Sequence, residues 1–411
     1  MADSSPPPAA SAGSPPAPAV LFICHHTGRT GAPLGLFSLV RWLKANTRLR
    51  LHVLLRYTGE LQRDFESVAD VFVVPRLPRI AAALLRRTAG QAAIAQIEDR
   101  MLRRRARRLK VDLIYSNTIT NTREIKALAP LGVPILCHVH ELGFWIRHEL
   151  GLQQALDTLP LTRRFIAAAN CAQEFLVTGL GVSPETIDVI REFPFRSGQP
   201  RSAADSRPAM RQKLGIDDQI FLVGACGTVD WRKGSDLFLA IAQAVAQRPG
   251  GQLFRFIWLG GPVSGPFFRQ LQHDVARAGL SEVVSFSGPS ASPEGFYAAC
   301  DAFLLPSRED CCPLVMLEAA AARLPILCFE QSGGAPEFVA DGAGISVPYL
   351  DVRRMATTLL ALARSPVWRE SLGTAAAQRV ELRHNGETQC RAIFAAMART
   401  QPRLDAATVP T

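Results

Sequence analysis

AFLLPSREDCCPLVMLEAAAARLPILCF, residues 302–329, holds two short apolar runs with a helix-like stretch between them. The runs AFLLPS and PILCF are continuous and not alternating, as in parallel strands covered on both faces. A helix between two such strands is the repeating unit of a doubly wound sheet. Pro313 suits the first helical position, where a missing N–H costs nothing. Asp310 then falls in the loop before the helix, and Glu318 about a turn and a half inside it. Glu318 stands among Leu314, Val315, Met316 and Leu317. An exposed surface position is the plain alternative, but apolar neighbours on nearly every side favour a polar partner within the fold.

The same pattern extends in both directions. Downstream comes GISVP (344–348), and upstream VVSFSG (283–288), LFRFIWLGG (253–261) and IFLVGACG (220–227). Further upstream are FIAA (165–168), VPILCHVH (133–140), DLIYS (112–116), DVFVV (70–74), LHVLLRY (51–57) and VLFIC (20–24). The alternation breaks after VIREFPF (189–195), where SGQPRSAADSRPA has a linker's composition. Two α/β domains follow, which 411 residues would in any case suggest. The expected boundaries are a Pro/Ala-rich tail over 1–17, a first domain over 18–196, a linker over 197–208 and a second domain over 209–375. Residues 376–411 read as a helix crossing back onto the first domain, then a tail.

Almost half the residues are apolar and a fifth are charged, the balance of a soluble globular protein. No apolar run is long enough to cross a bilayer. The N-terminal stretch lacks the basic and long apolar regions of a signal peptide and reads as disordered. Nine cysteines without C-x-x-C spacing fit a reducing cytoplasm, and Cys311-Cys312 reads as small apolar filler. The net charge is +10, part of it in RMLRRRARRLK from Arg100 to Lys110. That run reads first as a solvated helix face. The sharper reading is a helix on anionic lipid headgroups, peripheral on the inner face of a membrane. No nucleic-acid partner is expected, because no binding module accompanies the charge.

Ligands of open α/β sheets sit beyond the carboxyl ends of the strands, so the residues there matter most. GACGTVDWRKGSDLFL offers Gly227 and Gly234 for tight turns, then Arg232 and Lys233 before a helix expected to start at Ser235. Cations normally favour the other end of a helix, so two of them here suggest an anion to share. FEQSGGAPEFV adds Gly333, Gly334 and Glu337 after another strand. In the first half, HHTGRTGAP (25–33) is a glycine loop entering a helix near Pro33. His138 and His140 are read as turned to opposite faces of a strand, which would argue against one shared metal. His140 or Glu141 would then be the polar contact at the cleft.

With these residues in view, the chain resembles the retaining nucleotide-sugar glycosyltransferases of family 4, over roughly residues 18–400. LLPSREDCCPLVMLEAAAARLPILCFEQSGGAPEFV is similar to the family's Glu-x7-Glu motif and its following Gly-Gly loop, with Asp310 in place of the first glutamate and Glu318 matching the second. GTVDWRKG resembles the Gly-Arg-x5-Lys-Gly loop; Lys233 matches its lysine, and Thr228 stands where arginine is usual. The resemblance implies a GT-B fold, two Rossmann-like domains facing a cleft. It implies transfer of a sugar from a nucleoside diphosphate to a glycan or glycolipid hydroxyl, with retention and without a metal or cofactor. Asp310, His140 and Lys233 become catalytic candidates. Donor contacts fall to Glu318, Arg232, Lys233, Gly227, Thr228, Gly334 and the amides of Cys312, Leu314 and Val315. Gly28, Gly31 and Ala32 form the glycine loop facing the cleft. Two other functions stay open, a non-catalytic sugar-nucleotide-binding protein and a sugar-nucleotide epimerase.

Overall fold

A computed structural model describes residues 17–88, 90–194, 203–290 and 292–407. The tail expected over 1–17 lies almost wholly outside these residues, as do 197–202 of the expected linker. The apolar runs form strands β1 (Ala19–Cys24), β2 (Arg50–Leu55), β3 (Asp70–Val73), β4 (Leu113–Ser116), β5 (Ile135–Val139), β6 (Arg164–Ala167) and β7 (Ile187–Val189). They make one sheet in the order β3-β2-β1-β4-β5-β6-β7. The second sheet holds β8 (Phe221–Cys226), β9 (Phe254–Leu259), β10 (Val284–Phe286), β11 (Ala302–Leu305), β12 (Ile326–Phe329) and β13 (Ile345–Val347), ordered β10-β9-β8-β11-β12-β13. Every strand pairing is parallel. Only β7 escapes the sequence pattern; Asp188 interrupts its Ile-Asp-Val.

Both sheets are covered on both faces, which explains their unbroken apolar strands. One core gathers Phe22, Tyr115 and Leu136; another gathers Phe238, Phe256 and Trp258. In each sheet the strand order reverses beside the first strand of its domain, between β1 and β4 and between β8 and β11. A crevice opens at such a reversal, outside the carboxyl ends of the strands.

Two connections differ from expectation. Residues 203–208, expected as linker, are the first part of the helix Ala203–Lys213. That helix belongs to the second domain: Arg207 and Arg211 both bond the Asp301 carboxylate, at 2.7 and 3.3 Å. The second difference lies at residue 376, inside the continuous helix Pro366–Arg383, which packs Ala376 and Val380 into the second domain. The chain leaves that domain only at His384–Asn385. The helix Gly386–Thr400 then buries Cys390, Ile393, Phe394 and Met397 in the core around Phe22 and Leu39.

Met397 is completely buried in that core. Met397→Ala is therefore expected to cost about 2–5 kcal/mol through lost transfer energy and a residual cavity. Urea unfolding followed by far-UV circular dichroism checks this, and an unmoved midpoint contradicts it.

Candidate functional site

The loop between β8 and the helix Ser235–Ala246 is pressed against the loop after β11. Gly234 has φ 75°, and a Cβ there would stand 2.0 Å from the Pro306 carbonyl oxygen, so no other residue fits. The backbone N–H of Arg308 donates to the Arg232 carbonyl at 2.8 Å, and the Arg308 guanidinium grips Asp236 at 2.9 and 2.7 Å. These contacts set the basic pair against the acid. Lys233 Nζ forms an ion pair with Asp310 Oδ2. Arg232 Nη1 lies 3.8 Å from Asp310 Oδ1 and donates to the Glu309 carbonyl at 2.9 Å. Thr228 does not reach this cluster. Its hydroxyl donates to Asp230 at 2.6 Å, and Asp230 accepts the Lys233 backbone N–H at 2.7 Å.

The β12 loop closes the same rim. Asp310 donates its N–H to the Ser332 carbonyl at 2.8 Å, and Gly334 donates to the Asp310 carbonyl at 3.0 Å. Pro313 caps the helix Leu314–Ala321 one position earlier than the sequence suggests. The N–H groups of Leu314 and Val315 lie in its first turn, where no intrahelical acceptor exists. Glu318 is half-buried one turn inside, and Tyr297 donates its hydroxyl to Glu318 Oε2 at 2.7 Å. Burial raises the Glu318 carboxyl above its ordinary range, only partly opposed by the Tyr297 hydrogen bond. Gly227, at φ 146°, stands beside the Lys233 side chain.

The first domain supplies the opposite wall. A methyl on Gly31 would stand 3.8 Å from the Leu314 side chain. The helix there runs Gly31–Asn46, two residues earlier than Pro33. Gly28 donates its N–H to His26 Nδ1 at 3.0 Å, and the Ala32 carbonyl accepts from Asn117 at 2.8 Å. His138 and His140 depart from the alternation argument. Their rings stack at 4.1 Å and both face Glu192, at 3.8 Å from His138 Nε2 and 2.7 Å from His140 Nδ1. Residues two apart along a strand share a face, so the period of β5 itself carries both rings to one side, and the expectation of opposite faces misapplied it. Burial pulls the His140 imidazole down, but the Glu192 carboxylate outweighs it and the net shift is upward. Among the described residues, His138, His140 and Glu192 are the group with metal-ligand geometry.

The two walls are joined by contacts the sequence does not signal. Glu309 accepts the backbone N–H groups of Phe144 and Trp145 at 2.8 and 3.2 Å, which caps the helical segment Trp145–Gly151 across the cleft. Phe144 lies on Trp231 at 5.1 Å, and Arg232 stands over Trp145 at 5.8 Å. Glu337 accepts from the Asn170 backbone and side chain at 3.1 and 2.7 Å. Glu192 and Tyr297 were also missed. The only available hint for Glu192 was a lone acid in the apolar run VIREFPF.

Family models agree with this architecture. "Glycosyltransferase Family 4" matches residues 29–192, and "Glycosyl transferases group 1" matches 219–365. The chain is 31% identical over 228 residues to a D-inositol 3-phosphate glycosyltransferase of Frankia alni, covering 53% of this chain and 54% of that protein. It is 30% identical over 208 residues to a GDP-mannose-dependent monoacylated alpha-(1-6)-phosphatidylinositol monomannoside mannosyltransferase of Corynebacterium glutamicum, covering 48% and 50%. It thus spans about half the length of the curated relatives it matches. Among solved structures, Anabaena Alr3699/HepE in complex with UDP-glucose superposes with TM-score 0.76 at 21% identity, covering 93% of this chain and 99% of that one. WaaG, a glycosyltransferase involved in lipopolysaccharide biosynthesis, superposes with TM-score 0.70 at 15% identity, covering 91% and 99%. The chain has the GT-B fold, with a first domain that matches glycosyltransferase family 4 and a second that matches glycosyl transferases group 1.

Proposed function

We propose that the chain transfers a sugar from a nucleoside diphosphate sugar to a hydroxyl acceptor, with retention at the anomeric carbon. The observation that carries this is the convergence of Lys233, Arg232 and Asp310 at one rim, with Glu318 in the adjoining helix. Negative charge grows on the departing diphosphate, and fixed positive groups aimed at it supply the largest stabilisation. A unit charge pair at 4 Å is worth about 4 kcal/mol at an effective dielectric of 20. Lys233, Arg232 and the N–H groups of Leu314 and Val315 could together take the part of a divalent cation. Asp310 holds Lys233 in position; a diphosphate competes for that ammonium and frees the carboxylate for sugar hydroxyls. Tyr297 occupies only one Glu318 oxygen, which leaves Oε1 for a ribose diol. His140 faces the transferred sugar from the other wall.

The acceptor reading rests on the first domain. The helix Arg79–Thr88 has no buried residue, and Ile80 and Leu84 are 86% and 64% exposed one turn apart. Arg79, Arg86 and Arg87 surround them. In the Arg100–Lys110 run behind it Leu102 and Ala106 are buried, while Arg104, Arg105, Arg107 and Arg108 are exposed, Arg105 lying over Phe72 at 4.5 Å. Among the described residues no helix is long and apolar enough to cross a membrane. An apolar ridge ringed by arginines suits an anionic bilayer surface, and with it a lipid-linked acceptor.

Three outcomes are expected. A panel of nucleotide sugars, followed by anomeric NMR of the product, should show transfer with retention that survives a chelator. Lys233→Ala should lower kcat by about 100-fold or more, and Glu318→Ala should weaken donor binding as well; undiminished turnover in either variant defeats the assignment. Donor binding without product would favour a non-catalytic binder, and an epimerised donor without acceptor would favour an epimerase.

The second outcome concerns stability. Burial raises the Glu318 pKa in the fold, so the folded state binds the extra proton. The carboxyl's contribution is then fully present below the unfolded pKa and is lost as pH rises through the folded one. Glu318→Gln should therefore raise the melting temperature at pH 7 and lose that advantage in acid. A variant less stable than wild type at pH 7 counts against this. Third, Ile80→Glu with Leu84→Glu should abolish sedimentation with anionic vesicles and leave turnover of a water-soluble acceptor intact. Undiminished sedimentation would remove the membrane role.

A further inference from the structure

His138, His140 and Glu192 meet at the first-domain wall of the cleft. One ring nitrogen of each histidine and one carboxylate oxygen of Glu192 lie within 4.8 Å of one another. His138 and Glu192 are each 5% exposed. His138 Nε2 and His140 Nε2 are buried without a hydrogen-bond partner, and Glu192 Oε1 meets only the His140 Nδ1 side of the pair, at 2.7 Å. Buried polar atoms are almost always partnered, so two bare ring nitrogens beside one carboxylate call for an explanation. The group also lines a small cavity of about 10 Å³ shared with Gly35, Tyr115 and Asn117, close to the least that holds one water.

We propose that His138, His140 and Glu192 bind a zinc-type divalent cation, which withdraws His140 from the sugar cleft and so inhibits transfer. The donor chemistry fits: two imidazoles and one carboxylate with a remaining open position form a three-ligand zinc set. Two neutral rings and one carboxylate leave a net negative charge for the ion. His138 Nε2 is the ring nitrogen turned to Glu192, at 3.8 Å. Its other nitrogen, Nδ1, is held by the Tyr115 hydroxyl at 2.7 Å, the outer contact that orients a metal-bound histidine. At Glu192 the cation replaces the proton that the His140 N–H now shares with the carboxylate at 2.7 Å. His52 is also buried with unpartnered ring nitrogens, but only Asp70 faces it, so no comparable set forms there. Inhibition rests on the transfer reading above; cation binding does not.

The test is a cobalt(II) titration of the full chain, stripped with chelator, in the absence of nucleotide sugar. One ion per chain is expected, with the strong visible bands of a four- or five-coordinate site and no thiolate charge-transfer band. His138→Gln and Glu192→Gln should each weaken binding by at least about tenfold, and Tyr115→Phe by about 10–100-fold. Tyr115→Phe preserves the core's shape and keeps the test valid if a ligand variant fails to fold. In turnover assays zinc should inhibit, chelator should reverse it, and Tyr115→Phe should raise the inhibitory concentration at least about tenfold. Thiolate bands from any of the nine cysteines, absence of binding, or unchanged affinity in all three variants overturns the proposal. Binding that persists in a chain with no transfer activity would defeat the transfer reading and keep the cation site; transfer without binding would do the reverse.

Discussion

Most groups argued to matter lie beyond the carboxyl end of a parallel strand or in the turn of helix that follows; His138, within β5, and Tyr297, in the helix Glu294–Ala299, support them from behind. Right-handed crossovers impose this, because they place all strand-to-helix loops of a sheet along one edge. Two such sheets set edge to edge turn a dozen short loops toward one crevice. The Lys233–Asp310 pair is the clearest product. The residues are far apart in the chain, yet β8 and β11 are neighbours, so the loops that follow them cannot avoid each other. The Gly234 backbone then closes to contact on Pro306, and the side chains have little remaining freedom.

Stability and function pull against each other at Glu318. A carboxylate one turn inside an apolar helix is costly, and a single tyrosine hydroxyl compensates only in part. The sheet would be better served by glutamine or leucine. That the acid is there at all is the strongest local indication that something outside the fold uses it. Asp310 shows the opposite solution: its charge is matched at once by Lys233 and Arg232, so it is buried at little cost.

Most of the architecture was legible because it rests on local signals. Twelve of the thirteen strands coincide with continuous apolar runs, and the helix start at Ser235 follows from the Gly-Arg-Lys turn before it. The second-domain rim was legible for the same reason, since its residues cluster in three short motifs. The opposite wall was not. Glu192 comes from the last run before the expected linker, and its partner His140 was set on the wrong face, although residues two apart on a strand share one. Glu309 and Glu337 cap backbone N–H groups in the other domain, a relation between distant segments that no periodicity encodes. The linker failed differently. Proline, serine and alanine marked residues 197–208 as irregular, but the arginines that dock the helix Ala203–Lys213 on Asp301 act through tertiary contact.

The chain passes between its halves twice, once after Pro194 and again at His384. The two crossings touch: the buried His384 ring bonds the Glu192 carbonyl at 2.6 Å. A pair of tethers joined at one point permits rotation about an axis and resists sliding. Glu192 sits where they join, with its carbonyl tied to one strap and its carboxylate to the His140 imidazole. One residue thus fastens both the junction of the straps and a ring at the crevice floor, so its replacement would loosen the two together.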